Sequence, residues 1–302
     1  MTKINLYIFI IIFSILLTAN IHPQILDTTK GWTKLTDGLD FPEGPAYDGG
    51  GSIYFSNCYG GWIGKFSEGK LDTFLQKTDA SVSIEKTNGL AIRMDGFLYG
   101  CDYGKGMIFR SDAEGNIEII SDGFEGQRYN RPNDMVFDKD GNLFFTDPKS
   151  YGADKLDGRI FFLILKTKEV KLLADSLAFP NGINISPIDN KLYVCESAKS
   201  RILRYDISTN ELTNQEVFAE IPGGDPDGIE FDVEGNLYTA HFGGGAIYVF
   251  SPEGQIIQKI NTPGLKPTNL EFGGHDLKTL FLTEVETNSL YKIESKFAGS
   301  NN

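Results

Sequence analysis

The chain has 302 residues, a formal net charge of −13 and 40% hydrophobic residues. That length is ample for a sizeable core and allows one or two domains. A surface this acidic repels nucleic acid and anionic membranes, so neither is expected as a partner.

The N-terminus differs from everything after it. Lys3 precedes the apolar run Leu6 to Ala19, which gives way to the polar stretch Asn20 to Gln24. A charged start, a short apolar run and a small-residue exit read as a secretory signal peptide, and the run falls short of the ~20 residues of a spanning helix. The expected division is a signal peptide over residues 1–24, its cleavage site approximate, and one domain over 25–302, with the mature protein periplasmic or secreted. Once the signal is removed, no membrane association is expected. Three cysteines remain, Cys58, Cys101 and Cys195. An odd number without close spacing is no disulfide framework, and they are read as small strand residues.

From Phe41 onward one phrase recurs: a small polar residue beside Gly or Pro, an alternating apolar run, a polar turn and a second apolar run. It appears as FPEGPAYDGGGSIYFSN, TNGLAIRMDGFLYGCDY, RPNDMVFDKDGNLFFTDP, FPNGINISPIDNKLYVCES, DPDGIEFDVEGNLYTAHF and, weakened, KPTNLEFGGHDLKTLFLTE. Aligned, the copies place Glu43, Asn88, Asn133, Asn181, Asp227 and Thr268 at one position, spaced by 45, 45, 48, 46 and 41 residues. Such a period marks a repeat architecture. Within each copy the apolar segments are short and alternate with period two, which is strand patterning. Four strands per repeat and six repeats predict an all-β, six-bladed β-propeller. The last repeat supplies only three strands, so the segment Trp32 to Leu39 is expected to close the ring as the fourth strand of the last blade, removing two free edges.

In a propeller the innermost strands border a central channel, so the repeated polar position forms a ring. Two carboxylates and several amide oxygens converging there suit a hard cation such as Ca²⁺, and neither His nor Cys falls at the position. The alternative is that Asn-Gly and Asp-Gly merely serve tight turns before the strand.

Glu43-Gly44-Pro45, Arg131-Pro132-Asn133-Asp134, Pro180-Asn181-Gly182 and Pro226-Asp227-Gly228, each heading a successive strand pair, resemble the SMP-30/gluconolactonase/LRE family over residues 32 to about 293. The segments Phe145 to Gly152, Ala240 to Gly245 and Lys266 to Gly274 also resemble its bacterial gluconolactonase members. The resemblance implies a channel divalent metal, commonly Ca²⁺ with Mg²⁺, Mn²⁺ or Zn²⁺ as alternatives, held by Glu43, Asn133, Asn181 and Asp227. Asn88 and Arg131 match positions beside the metal that contact substrate. Thr268 departs from ligand chemistry and is not counted.

The expected reaction is hydrolysis of a sugar-acid lactone, with Asp227 as general base and Glu43 neutralising the ion. Arg131 suits substrate hydroxyls or a carboxylate. His241, before the glycines 243–245, is a candidate for substrate binding at the channel rim, and Tyr151 for covering the mouth. No Gly-x-Ser-x-Gly elbow is present, which disfavours a serine hydrolase. Organophosphate or other ester hydrolysis on the same metal, a strictosidine-synthase-like propeller and a non-catalytic Ca²⁺-stabilised binding propeller are the rivals. The loops Gly123 to Asn130 and Lys149 to Asp157 are expected to set specificity.

Overall fold

Aspartates make the repeated hairpin. In Asp138-Lys139-Asp140-Gly141-Asn142 the Asp138 Oδ1 accepts the backbone N–H of Asp140 and of Asn142, while Gly141 takes φ 77°. Asp112 and Asp232 repeat the arrangement over Gly115 and Gly235. An Asx turn of this kind joins two strands in register and needs a left-handed residue at its end, which glycine supplies at least cost.

The computed structural model describes residues 24–300 apart from 79–81, 94 and 209–210. The expected signal peptide lies outside the described residues, except for Gln24. Six four-stranded antiparallel sheets follow one another along the chain. The first runs Pro42–Tyr47, Ile53–Asn57, Trp62–Ser67 and Lys70–Gln76; the second begins at Thr87–Ile92, the third at Met135–Phe137, the fourth at Pro180–Ile185 and the fifth at Asp225–Phe231. The sixth has three strands of its own, Pro267–Gly273, Thr279–Glu284 and Ser289–Glu294. Its outer strand is Thr33–Thr36, paired antiparallel with Ser289–Glu294 through a bulge between Lys34 and Thr36. Adjacent innermost strands touch all the way round, the first against the sixth included. The molecule is a six-bladed β-propeller.

Six core clusters correspond to the six blade-to-blade interfaces. Between blades 2 and 3, for example, Tyr99, Ile108, Met135, Phe145 and Phe161 are buried together. Between blades 6 and 1 it is Leu39, Phe55, Phe281 and Leu290. Each blade is too thin to bury its faces alone, and the core lies between neighbours. Tyr and Phe fill these layers edge to face, as with Tyr99–Phe137 and Tyr238–Phe272. All three cysteines are buried and free, in keeping with the sequence reading.

Candidate active site

The residue after each ring position explains why the phrase contains glycine. A Cβ on Gly44 would lie 2.2 Å from the Asn88 carbonyl oxygen, and one on Gly182 would lie 2.2 Å from that of Asp227. The innermost strand of the next blade passes directly over these glycines. Asn-Gly and Asp-Gly therefore mark close backbone approach around the channel rather than tight turns. Blades 3 and 6, which face each other across the channel, carry Asp134 and Asn269 at this position, and Asn269 Nδ2 donates to Asp134 Oδ2 at 3.5 Å. The pair forms a strut across the channel.

The ring residues converge as the repeat predicts. Glu43, Asn88, Asn181 and Asp227 are all buried, and Asn133 is partly buried. The Asn88 side chain favours the charged form of Glu43, and the Asn181 side chain that of Asp227. Burial, and then the nearby Asp134 charge, push the Glu43 carboxyl up to about 8; burial and the Glu43 charge push Asp227 well above the usual carboxylate range. Asn133 Oδ1 is buried without a hydrogen-bond partner. Carboxylates that repel one another, in a ring that also carries an orphaned amide oxygen, are what a hard divalent cation would relieve. The thiols of Cys58, Cys101 and Cys195 are held up by burial, so they are poor metal donors here. Among the described residues no three of His, Cys, Asp and Glu converge on a cation-sized space, so a cation in the ring would depend on the amide oxygens. Thr268 has the role of a structural tie: its Oγ1 reaches the Pro42 carbonyl at 2.8 Å and the Thr283 hydroxyl at 2.8 Å, joining blade 6 to blade 1.

Beneath the ring lies a second polar layer that the repeat analysis did not single out. Asp134 is pushed up to about 6 by burial, and Glu230 to about 8 by burial and then, after a backbone hydrogen bond that opposes it, the Asp134 charge. Glu271 is driven well up by burial and the Glu230 charge. Glu230 and Glu271 each keep part of their surface accessible.

At the mouth, Phe41 and Phe179 both take φ 59° immediately before a proline. A bulky residue in that region costs about 1–3 kcal/mol, and such strain persists where the surroundings hold it. Here the holders are ring contacts, Phe41 with Tyr59 at 4.6 Å and Phe179 with Tyr151 at 5.4 Å. Tyr151 also donates its hydroxyl to Asp225 Oδ2 at 2.8 Å, so its loop, expected to cover the mouth, reaches from blade 3 over blade 4 to blade 5. Arg131 is exposed at the same rim, its backbone N–H donating to Asp147 at 2.7 Å.

A family model for the SMP-30/gluconolactonase/LRE-like region matches residues 41–286. The chain belongs to this family. It is 28% identical to a gluconolactonase of Zymomonas mobilis, over 91% of this chain and 84% of that protein. It is 30% identical to a diisopropyl-fluorophosphatase of Loligo vulgaris, over 87% of this chain and 91% of that one. The solved structure of a gluconolactonase from Xanthomonas campestris matches at TM-score 0.77 and 28% identity, over 87% of this chain and 89% of that chain.

One candidate of this SMP-30-like propeller sits differently from the sequence expectation. His241 is buried within the strand Leu237–Phe242 instead of following it, with Nε2 against the Ile221 carbonyl at 3.2 Å and Nδ1 without a hydrogen-bond partner. Burial lowers its pKa, and a Cβ on Gly244 would fall 1.9 Å from its Nδ1. It pairs with Pro226 as Asn57, Asp102, Glu196 and Glu284 pair with the residues before their ring positions. Those side chains accept backbone N–H groups of the incoming segment: Asp102 from Lys86 at 3.1 Å, Glu196 from Ala178 at 2.8 Å and Glu284 from Lys266 at 2.8 Å. His241 does the same work from the donor side, fixing the approach to Asp227. This positioning set recurs about fifteen residues after each ring position, a spacing the sequence does carry. An outer cleft of about 470 Å³ between Trp32 and Lys259 lies on the periphery and offers no convergent polar set.

Proposed function

We propose that the channel ring of this lactonase-like propeller hydrolyses a sugar-acid lactone with a divalent metal, Ca²⁺ by its oxygen donors, held by Glu43, Asn133, Asn181 and Asp227. The observation that supports the reading is that the buried Glu43 and Asp227 carboxyls act on one another in a ring that also carries the unpartnered Asn133 Oδ1. When bound, the ion supplies Lewis-acid polarisation of the lactone carbonyl and charge stabilisation in the transition state. Asp227 takes the proton of the attacking water as that water adds to the carbonyl carbon. The ring C–O bond then breaks, and the departing oxygen takes that proton from Asp227, giving the open hydroxy acid and restoring the carboxylate. Asn88 and Arg131 orient substrate hydroxyls above the ring, Glu43 balances the ion's charge, and His241 acts through the backbone that presents Asp227.

The test is proton release from D-glucono-1,5-lactone after chelation and metal readdition. Turnover restored by Ca²⁺ and reduced at least about a hundredfold in folded Asp227→Asn, the scale of a lost general base, supports it. Absence of turnover with Ca²⁺, Mg²⁺, Mn²⁺ or Zn²⁺ in a folded, metal-loaded protein sinks gluconolactone as substrate. The similarity to a diisopropyl-fluorophosphatase favours a second reading, phosphotriester hydrolysis at the same ring, and the same assay with a fluorophosphate decides between them. The apolar run Leu6 to Ala19 supports placing the mature protein outside the cytoplasm.

A further inference from the structure

Two residues before each ring position the chain sets a second tier at the mouth: Phe41, Lys86, Arg131, Phe179, Asp225 and Lys266. Phe41 and Phe179 stand on opposite blades, each braced by a tyrosine. The one carboxylate of the tier, Asp225, is occupied by the Tyr151 hydroxyl. The other three members are cations, and among the described residues none of them forms an ion pair.

That absence is built into the backbone. The carboxylates closest along the fold are spent elsewhere: Asp102 accepts the N–H groups of Glu85, Lys86 and Lys105, and Asp147 accepts from Arg131 N and the Arg159 guanidinium. Lys86 Nζ lies over the rings of Tyr59 at 5.3 Å and Tyr103 at 5.7 Å, which holds the ammonium without neutralising it. Arg131, on the next blade, acts electrostatically on the Tyr103 hydroxyl, and Lys86 on the Cys58 thiol, which Glu43 also influences. Lys86 and Arg131 thus hold equivalent positions on adjacent blades at the mouth, both without an ion pair among the described residues, in a protein whose net charge is −13.

We propose that Lys86 and Arg131 bind a carboxylate on the substrate, so that the preferred lactone is one carrying its own acid group, its ring bounded by the two aromatic pairs. A planar carboxylate matches the guanidinium fork, and the ammonium adds a second charge-assisted contact. A local cationic tier also draws an anion toward a mouth that the overall charge would otherwise repel. The proposal rests on the lactonase reading.

The test compares D-glucaro-1,4-lactone, which bears a carboxylate, with neutral D-glucono-1,5-lactone on the Ca²⁺-loaded protein. It also titrates in D-glucuronate against D-glucose by calorimetry. The carboxylate-bearing lactone should have the higher kcat/KM. Lys86→Met should lower that preference about tenfold, one lost charge-assisted contact, and Lys86→Arg should keep it. D-glucuronate should bind the wild type and lose about tenfold in Lys86→Met. Equal kcat/KM for both lactones, unmoved by Lys86→Met, overturns the proposal and leaves the lactonase reading standing. Absence of turnover with either lactone, while D-glucuronate binding still depends on Lys86, sinks the lactonase reading and keeps the anion site. D-glucuronate binding no tighter than D-glucose, or indifferent to Lys86, overturns the proposal whatever the kinetics.

Discussion

Asp134 and Asn269 stand where four blades carry glycine, and that exchange determines what fills the channel below the ring. Burial and neighbouring charge raise the carboxyls there, which fixes the sign of a pH effect. A carboxyl whose folded pKa is raised binds its proton more tightly in the native state. Its stabilising contribution is complete below the unfolded value, near 4.5 for a glutamate, and is lost as pH rises through the folded value, about 8 for Glu230. In chelator-treated protein, Glu230→Gln should therefore raise Tm relative to wild type at pH 9 and have little effect at pH 4. Thermal denaturation at the two pH values checks it, and an equal effect at both would remove Glu230 as the cause. At the rim, Tyr151→Phe keeps the contact with Phe179 and deletes the hydrogen bond to Asp225. With loop ordering weakened and Asp227 untouched, KM for a hydrolysed lactone should rise several-fold while kcat changes less than twofold, the net worth of one neutral-to-charged hydrogen bond.

In four blades the innermost strand brings its ring residue to the channel with a glycine after it, over which the neighbouring strand passes closely. Gly182→Ala forces a methyl group to within 2.2 Å of the Asp227 carbonyl oxygen. Blades 4 and 5 must part, at about 1–3 kcal/mol as an overpacked contact. Tm should fall and Ca²⁺ affinity should weaken together, since Asn181 and Asp227 move with the strands; calorimetry of the variant measures both. The strand pattern and the ring were legible because both depend on local alternation and a period that every copy repeats. The meaning of the glycines was not. Close approach involves a neighbour some 45 residues away, whereas a turn involves only the next residues, and the dipeptide is the same. His241 reads as a rim residue because glycines 243–245 follow closely; its partner across the hairpin, Pro226, places it in the slot held elsewhere by Asn57, Asp102, Glu196 and Glu284. The mouth contacts Phe41–Tyr59 and Tyr151–Asp225 could not be read, because they depend on loop paths that no periodicity encodes.

At the scale of the whole molecule, the first and last described segments meet. Thr33–Thr36 pairs with Ser289–Glu294, and Leu26 bridges to Ser295 while Ile25 and Leu26 are buried against blades 5 and 6. Deleting everything before Asp37 would strip the outer strand from blade 6 and leave Ser289–Glu294 as an open edge. The shortened protein should melt at lower temperature and self-associate with concentration, as exposed edges do. Light scattering beside thermal denaturation tests this, and a monomer of unchanged Tm would show that the ring holds without its N-terminal strand.

The strut between Asp134 and Asn269 has a kinetic consequence. With Asp134 and Asn269 hydrogen-bonded across the channel under the ring, a molecule that enters from the mouth meets a polar barrier below it. On the proposed reaction, substrate and product would share one doorway, beside the Tyr151 loop. Traffic through the site would then alternate: the spent molecule would back out before the next arrives, and a product carrying negative charge would leave past the same cations proposed to bind its precursor.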